Sequence, residues 1–172
     1  MKIGFSLEGP HDDYSIPILA EKVLGRPFQS ILRKNRSTQK VKEDLKDLER
    51  EDIDLIILVK DNDNHNTNDF YKRLEKMASN IRTKLIIAIP VQALEAWLLA
   101  DENALSKVFG KTINRVKSPE KYKKPKSILQ KIAHPDVPTR NHYKLIAQSL
   151  SISILQRRCK SFYRFKKSLL TT

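Results

Sequence analysis

The stretch DLIILVKDND, residues 54–63, decides how the rest of the chain is read. Its uninterrupted apolar run, Leu55 to Val59, fits a short strand buried on both faces, the kind found in parallel sheets. Two carboxylates one residue apart, Asp61 and Asp63, follow at once. The chain that carries them has a formal net charge of +13, so an acid pair fixed at a strand end calls for an explanation.

Reading outward, apolar runs and helical patterns alternate. KIGFSL (2–7) reads as a strand, SIPILAEKVL (15–24) as a helix, FQSILR (28–33) as a further strand and TQKVKEDLKDLERE (38–51) as a helix that Ser37 or Thr38 can cap. After the central strand come an amphipathic helix over 67–81, a buried strand KLIIAI (84–89) and an expected helix VQALEAWLLAD (91–101). Strands and helices spaced in this way form βαβ units. The expected fold is therefore α/β: a largely parallel sheet of about four strands flanked by helices. Ligands of such sheets bind beyond the carboxyl ends of the strands, which is where Asp61 and Asp63 would lie.

Beyond residue 104 the strand signal fades. SPEKYKKPKS (118–127) reads as a basic loop, and Pro125 is suited to open the helix PKSILQKIA (125–133). HPDVPT (134–139) is a second break, and the remainder reads as two or three helices. Ile152, Leu155, Cys159, Phe162, Phe165 and Leu169, spaced by three and four, give these helices one apolar face to dock on the core. Two regions result: an α/β core over 1–104 and a basic helical C-terminal extension over 105–172 packed on it.

Charge divides along the same line. Residues 1–104 carry 16 Lys+Arg against 18 Asp+Glu, and residues 105–172 carry 17 against 2. Such asymmetry points to a polyanionic partner, because cations that neutralise phosphates release condensed counterions. Nucleic acid, DNA or RNA, fits better than a membrane surface, since no strongly basic amphipathic helix with a broad apolar face is evident. The candidate phosphate contacts are Lys123, Lys124, Lys126, Arg157, Arg158, Lys160, Arg164, Lys166 and Lys167. The longest apolar stretch is broken by Pro90, Gln92 and Glu95, which excludes a bilayer span. With no signal-like N-terminus, a cytoplasmic location is expected. The single cysteine, Cys159, excludes an intramolecular disulfide and reads as a packed thiol.

Three acidic features fall at expected strand ends. Glu8 closes the first strand, with Gly9, Asp12 and Asp13 just beyond it; Asp61 and Asp63 follow the central strand; Glu95 follows the next one. In a parallel sheet these ends share one edge. Carboxylates gathered there repel, and they stay ionised at neutral pH only with a cation. Mg²⁺, or Mn²⁺ in its place, suits such oxygen ligands. Each acid also has a plainer reading. Asp61 and Asp63 could form turns in an Asn/Asp-rich loop, Glu8 could be an ordinary loop acid, and Glu95 could serve the helix dipole. Trp97 reads as core. An EF-hand starting at Asp61 would need Gly and Glu where the chain has Asn66 and Lys72. His11 and His65 read as solvated loop histidines beside the acids.

The strand-Glu-Gly and strand-Asp-x-Asp arrangement resembles the Toprim domain of topoisomerases, primases and overcoming-lysogenization-defect nucleases. EGPHDD, VKDNDN, PVQALEAWLLAD and LQRRCKSFYRF together resemble the Toprim-like family labelled domain of unknown function 4276, over nearly the whole chain. That resemblance implies that Glu8 is a metal ligand or general acid/base and that Asp61 and Asp63 coordinate Mg²⁺. Glu95 and Asp12 are further candidate ligands. Tyr14, Tyr71, Tyr122, Tyr143 and Tyr163 lack the context of a topoisomerase nucleophile, and no zinc segment supports a primase. Metal-dependent phosphodiester hydrolysis is the expected activity. Nucleic-acid or ATPase binding without cleavage, and a small-molecule phosphohydrolase, are the alternatives. The chain has no glycine-rich phosphate loop, so a companion ATPase would be a separate protein.

Overall fold

Leu55–Val59 is buried along its whole length in the computed structural model, which describes residues 1–35 and 37–172. It is the third of four strands, β3, after β1 (Lys2–Leu7) and β2 (Gln29–Lys34) and before β4 (Leu85–Ala88). All pair in parallel, in the order β2-β1-β3-β4. The register sets Ile3 beside Leu55 and Ser6 beside Leu58, so β1 and β3 finish side by side. The carboxyl ends of all four strands therefore lie on one edge.

Side-chain alternation along the strands builds a core on each face. Ile56 and Leu58 join Val41, Leu45 and Leu48 of α2 (Thr38–Glu49) with Phe70 and Leu74 of α3 (Thr67–Met77). Ile57 and Val59 face the other way, with Phe5 and Leu7, toward α1 (Ile16–Leu24) and the C-terminal helices. A Cβ at Gly4 would collide with Ile53 and Leu48; glycine there permits the close approach of α2. Of the two residues weighed as its cap, Ser37 holds the N-cap position, without a side-chain capping bond.

The expected helix over 91–101 is corrected. Only α4 (Glu95–Leu98) is helical, and it follows Gln92, whose φ is +67°. Backbone breaks flank it, left-handed at Gln92 and extended at Asp101 (φ −126°, ψ 99°), while Leu94 and Ala96 through Ala100 between them are at most 1% exposed. Asp101 then starts a helix that the sequence pattern missed, α5 (Glu102–Phe109), by accepting hydrogen bonds from Asn103 N (3.1 Å) and Ala104 N (3.3 Å).

The C-terminal region contains α6 (Pro125–Ala133), α7 (Arg140–Ser149), α8 (Ile152–Arg158) and α9 (Lys160–Leu170). Pro125 opens α6. Extended backbone at Cys159 (φ −125°, ψ 104°) separates α8 from α9. Leu155, Cys159, Phe162, Phe165 and Leu169 are buried in the same core as β1 and β3, with Ile152 at its margin. Trp97 sits edge-on to Phe162 at 5.2 Å, stacks on Phe165 at 5.7 Å and donates Nε1 to Ser161 Oγ at 2.7 Å. This cluster ties the loop after β4 to α9. Among the described residues no helix is long and apolar enough to cross a membrane.

Candidate active site: an acidic cluster at the carboxyl edge of the sheet

Because β1 and β3 are neighbours, Glu8 and Asp61 meet as soon as their strands end. Asp61 N donates to Glu8 Oε2 at 3.0 Å. Asp61 Oδ1 in turn accepts from Leu94 N at 3.1 Å, across the loop after β4. That loop is held to the one after β3 by Asn62 N to Pro90 O (3.2 Å) and Asp63 N to Gln92 O (3.4 Å). Backbone hydrogen bonds thus fix Asp61 between the ends of three strands.

Asp12 comes from the turn after β1. Gly9 N donates to Asp12 Oδ2 at 2.7 Å, and a Cβ on Gly9 would lie 2.6 Å from Asp12 Oδ1. The absent side chain of Gly9 is the space in which the Asp12 carboxyl rests. Glu95, buried at the start of α4, accepts from Tyr143 OH at 2.6 Å.

These acids impose a strong field on one another. Burial pushes the Asp61 carboxyl up to about 9, and Asp12, Glu95, Glu8 and Asp63 each push in the same direction. Burial likewise raises Asp12 to about 6, against the Gly9 hydrogen bond, with Glu95, Glu8 and Asp13 adding to the rise. Burial and the adjacent Glu95 raise the Tyr143 hydroxyl, keeping it a proton donor.

Two cations answer part of this charge. Lys60 Nζ, with its side chain only 4% exposed, contacts Glu8 Oε1 at 2.6 Å and Asn35 O at 3.3 Å. Lys34 Nζ lies 3.2 Å from Asp13 Oδ2. His11 packs its ring 4.4 Å from that of Tyr143, and its Nδ1 is buried without a hydrogen-bond partner. Burial lowers the His11 pKa, with Lys126 and Arg140 acting in the same sense.

Of the sequence candidates, Glu8, Asp12, Asp61 and Glu95 therefore gather at one edge. Asp63 is exposed, with φ +43° beside Asn64 at +66°, so these two residues do form the turn that an Asx-rich loop suggests. Lys126 lies close enough to His11 to shift its pKa. Arg158 has another occupation: its guanidinium bonds Ala100 O, Val116 O and Glu102 Oε2, with the side chain 11% exposed. Lys123, Lys124, Arg157, Lys160, Arg164 and Lys167 are exposed, whereas Lys166 donates to Gln156 Oε1 at 2.5 Å.

Sequence reasoning missed Lys60 and Tyr143. A lysine ending a buried strand beside carboxylates is a signal for the first, since a buried ammonium needs a partner. Nothing local marks the second.

A family model described as Domain of unknown function (DUF4276) matches residues 7–170. The chain belongs to that family. In this DUF4276 chain the match takes in every member of the acidic cluster and all four helices α6–α9. No curated protein and no solved structure matches the chain.

Among the described residues no three His, Cys, Asp or Glu side chains are arranged to hold a metal ion together. Glu8 is turned onto Lys60 and Glu95 onto Tyr143, leaving Asp61 and Asp12 as the less committed pair. Asp61 Oδ2 and Asp12 Oδ1 have no hydrogen-bond partner among the described residues. Two carboxylates remain a usable set, because Mg²⁺ is commonly held by one or two of them with water and substrate phosphate. Asp61 and Asp12 are therefore the residues that would hold a hard divalent cation at this edge.

Proposed function

We propose that this acidic cluster is the catalytic centre of a Toprim-type, Mg²⁺- or Mn²⁺-dependent hydrolase of phosphodiester bonds in DNA or RNA. The observation that carries the reading is the meeting of Glu8, Asp61 and the loop after β4 at one sheet edge, where Leu94 N holds one Asp61 oxygen and burial, then Asp12, Glu95, Glu8 and Asp63, raise its pKa. Asp61 and Asp12 would hold the ion, with Glu8 able to join by exchanging Lys60 for it. When bound, the ion supplies charge neutralisation at the phosphoryl oxygens and a more acidic water. The chain's own residues perform the positioning. Leu94 N fixes Asp61, Gly9 N fixes Asp12, and Tyr143 holds Glu95 back as a neighbouring charge. Lys60 holds the Glu8 side chain in place beside Asp61. The exposed cations of the C-terminal region supply sequence-independent attraction for the phosphate backbone. A companion ATPase, as a separate protein, belongs to this reading through the Toprim resemblance alone.

The Lys60–Glu8 pair favours a second reading, in which Glu8 takes its counter-charge from the chain itself and the protein binds nucleic acid without cutting it. Labelled single- and double-stranded DNA and RNA, incubated with Mg²⁺, Mn²⁺ or EDTA, separate the two. Metal-dependent products from the wild type and none from Asp61→Asn are expected. Equal cleavage by both proteins would remove the acidic cluster as the centre, and binding without cleavage by either would favour the second reading.

A further inference from the structure

A second charged constellation shares no residue with the acidic cluster. Arg115, Lys117, Ser118, Pro119, Arg157 and Arg158 line a cavity of about 440 Å³. Arg115, Arg157 and Arg158 also line a second cavity of about 360 Å³, with Glu102 and Ile154. Glu102, the one acid of the two linings, is already paired with Arg158 at 2.9 Å.

The arrangement has a rigid part and an available part. Arg158 Nη2 donates to Val116 O, between Arg115 and Lys117, while Nη1 donates to Ala100 O. Arg158 therefore pins the 115–117 backbone to the core and holds the two flanking cations in place. Arg157 is steadied from the other side by Nε donating to Ser153 O at 3.2 Å. Its terminal amino groups, Arg115 and Lys117 have no ion-pair partner among the described residues, and all three residues are exposed.

Three available cations on a braced rim repel one another, and an anion relieves that repulsion. Arginine matches phosphate in particular, because its planar donor fork meets two oxygens at once. We propose that Arg115, Lys117 and Arg157 form an anchoring site for the backbone phosphates of a nucleic acid, separate from the acidic cluster. The proposal rests on the reading that the ligand is a nucleic acid. It requires neither a metal nor cleavage.

The test measures binding in EDTA, using fluorescein-labelled 20-nucleotide single strands and the corresponding duplex, as DNA and as RNA. Wild type is compared with Arg115→Ala/Lys117→Ala/Arg157→Ala and with a control triple, Lys72→Ala/Arg73→Ala/Lys76→Ala, which removes the same charge from exposed positions of α3. The pocket triple should weaken binding about tenfold or more at 0.1 M salt and flatten the dependence of log K on log salt by about two. The control triple should change affinity only a few-fold. Circular dichroism of both triples confirms that they fold, and Arg158 is left in place because it braces the structure. Equal weakening by the two triples, or none by the pocket triple, would overturn the anchoring site while leaving nucleic acid as the ligand. No binding by the wild type would overturn the nucleic-acid reading itself.

Discussion

Replacing Asp61 by Asn should make the metal-free protein more stable, and increasingly so as pH rises. Asp61 ordinarily titrates at 3.8 and is pushed to about 9 in the folded chain. A folded state that holds a proton the unfolded chain has released loses stability as pH climbs between those two values. The loss is about 1.4 kcal/mol per pH unit at most. At pH 7 the ceiling is about 4 kcal/mol; partial exposure of Asp61 and relaxation around it bring the expected effect to about 2 kcal/mol. Asn keeps an oxygen for the Leu94 N–H, so the hydrogen bond that positions the loop survives. Urea unfolding in EDTA at pH 5, 6.5 and 8 provides the assay. The fluorescence of Trp97, the sole tryptophan and fully buried, reports the transition. The advantage of Asp61→Asn over wild type should grow by about 2 kcal/mol between pH 5 and pH 8. A difference that is flat, or that shrinks with pH, would refute the crowding argument.

Other expectations follow from the same geometry. Lys60→Met should destabilise by about 3 kcal/mol or more, because it leaves Glu8 without its buried partner, and added Mg²⁺ should restore part of the loss, read by thermal melting. Tyr143→Phe strips the donor from a buried Glu95 oxygen and should cost about 1–3 kcal/mol in urea unfolding, with a loss of activity if Glu95 drifts toward Asp61. Gly9→Ala places a methyl group against the Asp12 carboxyl and should weaken metal-dependent cleavage while leaving the far-UV circular dichroism unchanged. Cys159, buried and with its thiol pKa raised by that burial, should react with a thiol reagent only after unfolding.

Much of the fold was legible because its signals are periodic. Leu55–Val59 announces a buried strand by composition alone, and the three-and-four spacing from Leu155 to Leu169 announces the docked helices. The segment 91–101 reads as one helix because nothing local in it marks the left-handed turn at Gln92 or the extended backbone at Asp101. Its geometry comes from loop contacts, such as Leu94 N to Asp61, and from the Asp101 cap. The acidic cluster was legible for a related reason. Parallel strands place their ends together, so strand order alone brings Glu8, Asp61 and Glu95 to one edge. Their partners could not, because Lys60 and Tyr143 acquire their roles only through tertiary contacts spanning 52 and 48 residues. Arg158 shows the reverse: a residue drawn to phosphate by its charge is occupied with two backbone carbonyls and Glu102.

The measurement that bears most directly on the acidic centre is Mn²⁺ binding followed by electron paramagnetic resonance of the free ion. Wild type should show saturable binding that Mg²⁺ displaces, weakened about tenfold or more in Asp61→Asn and in Asp12→Asn. Binding that is absent from wild type, or undiminished in both variants, would contradict the assignment of this cluster as a metal-dependent centre.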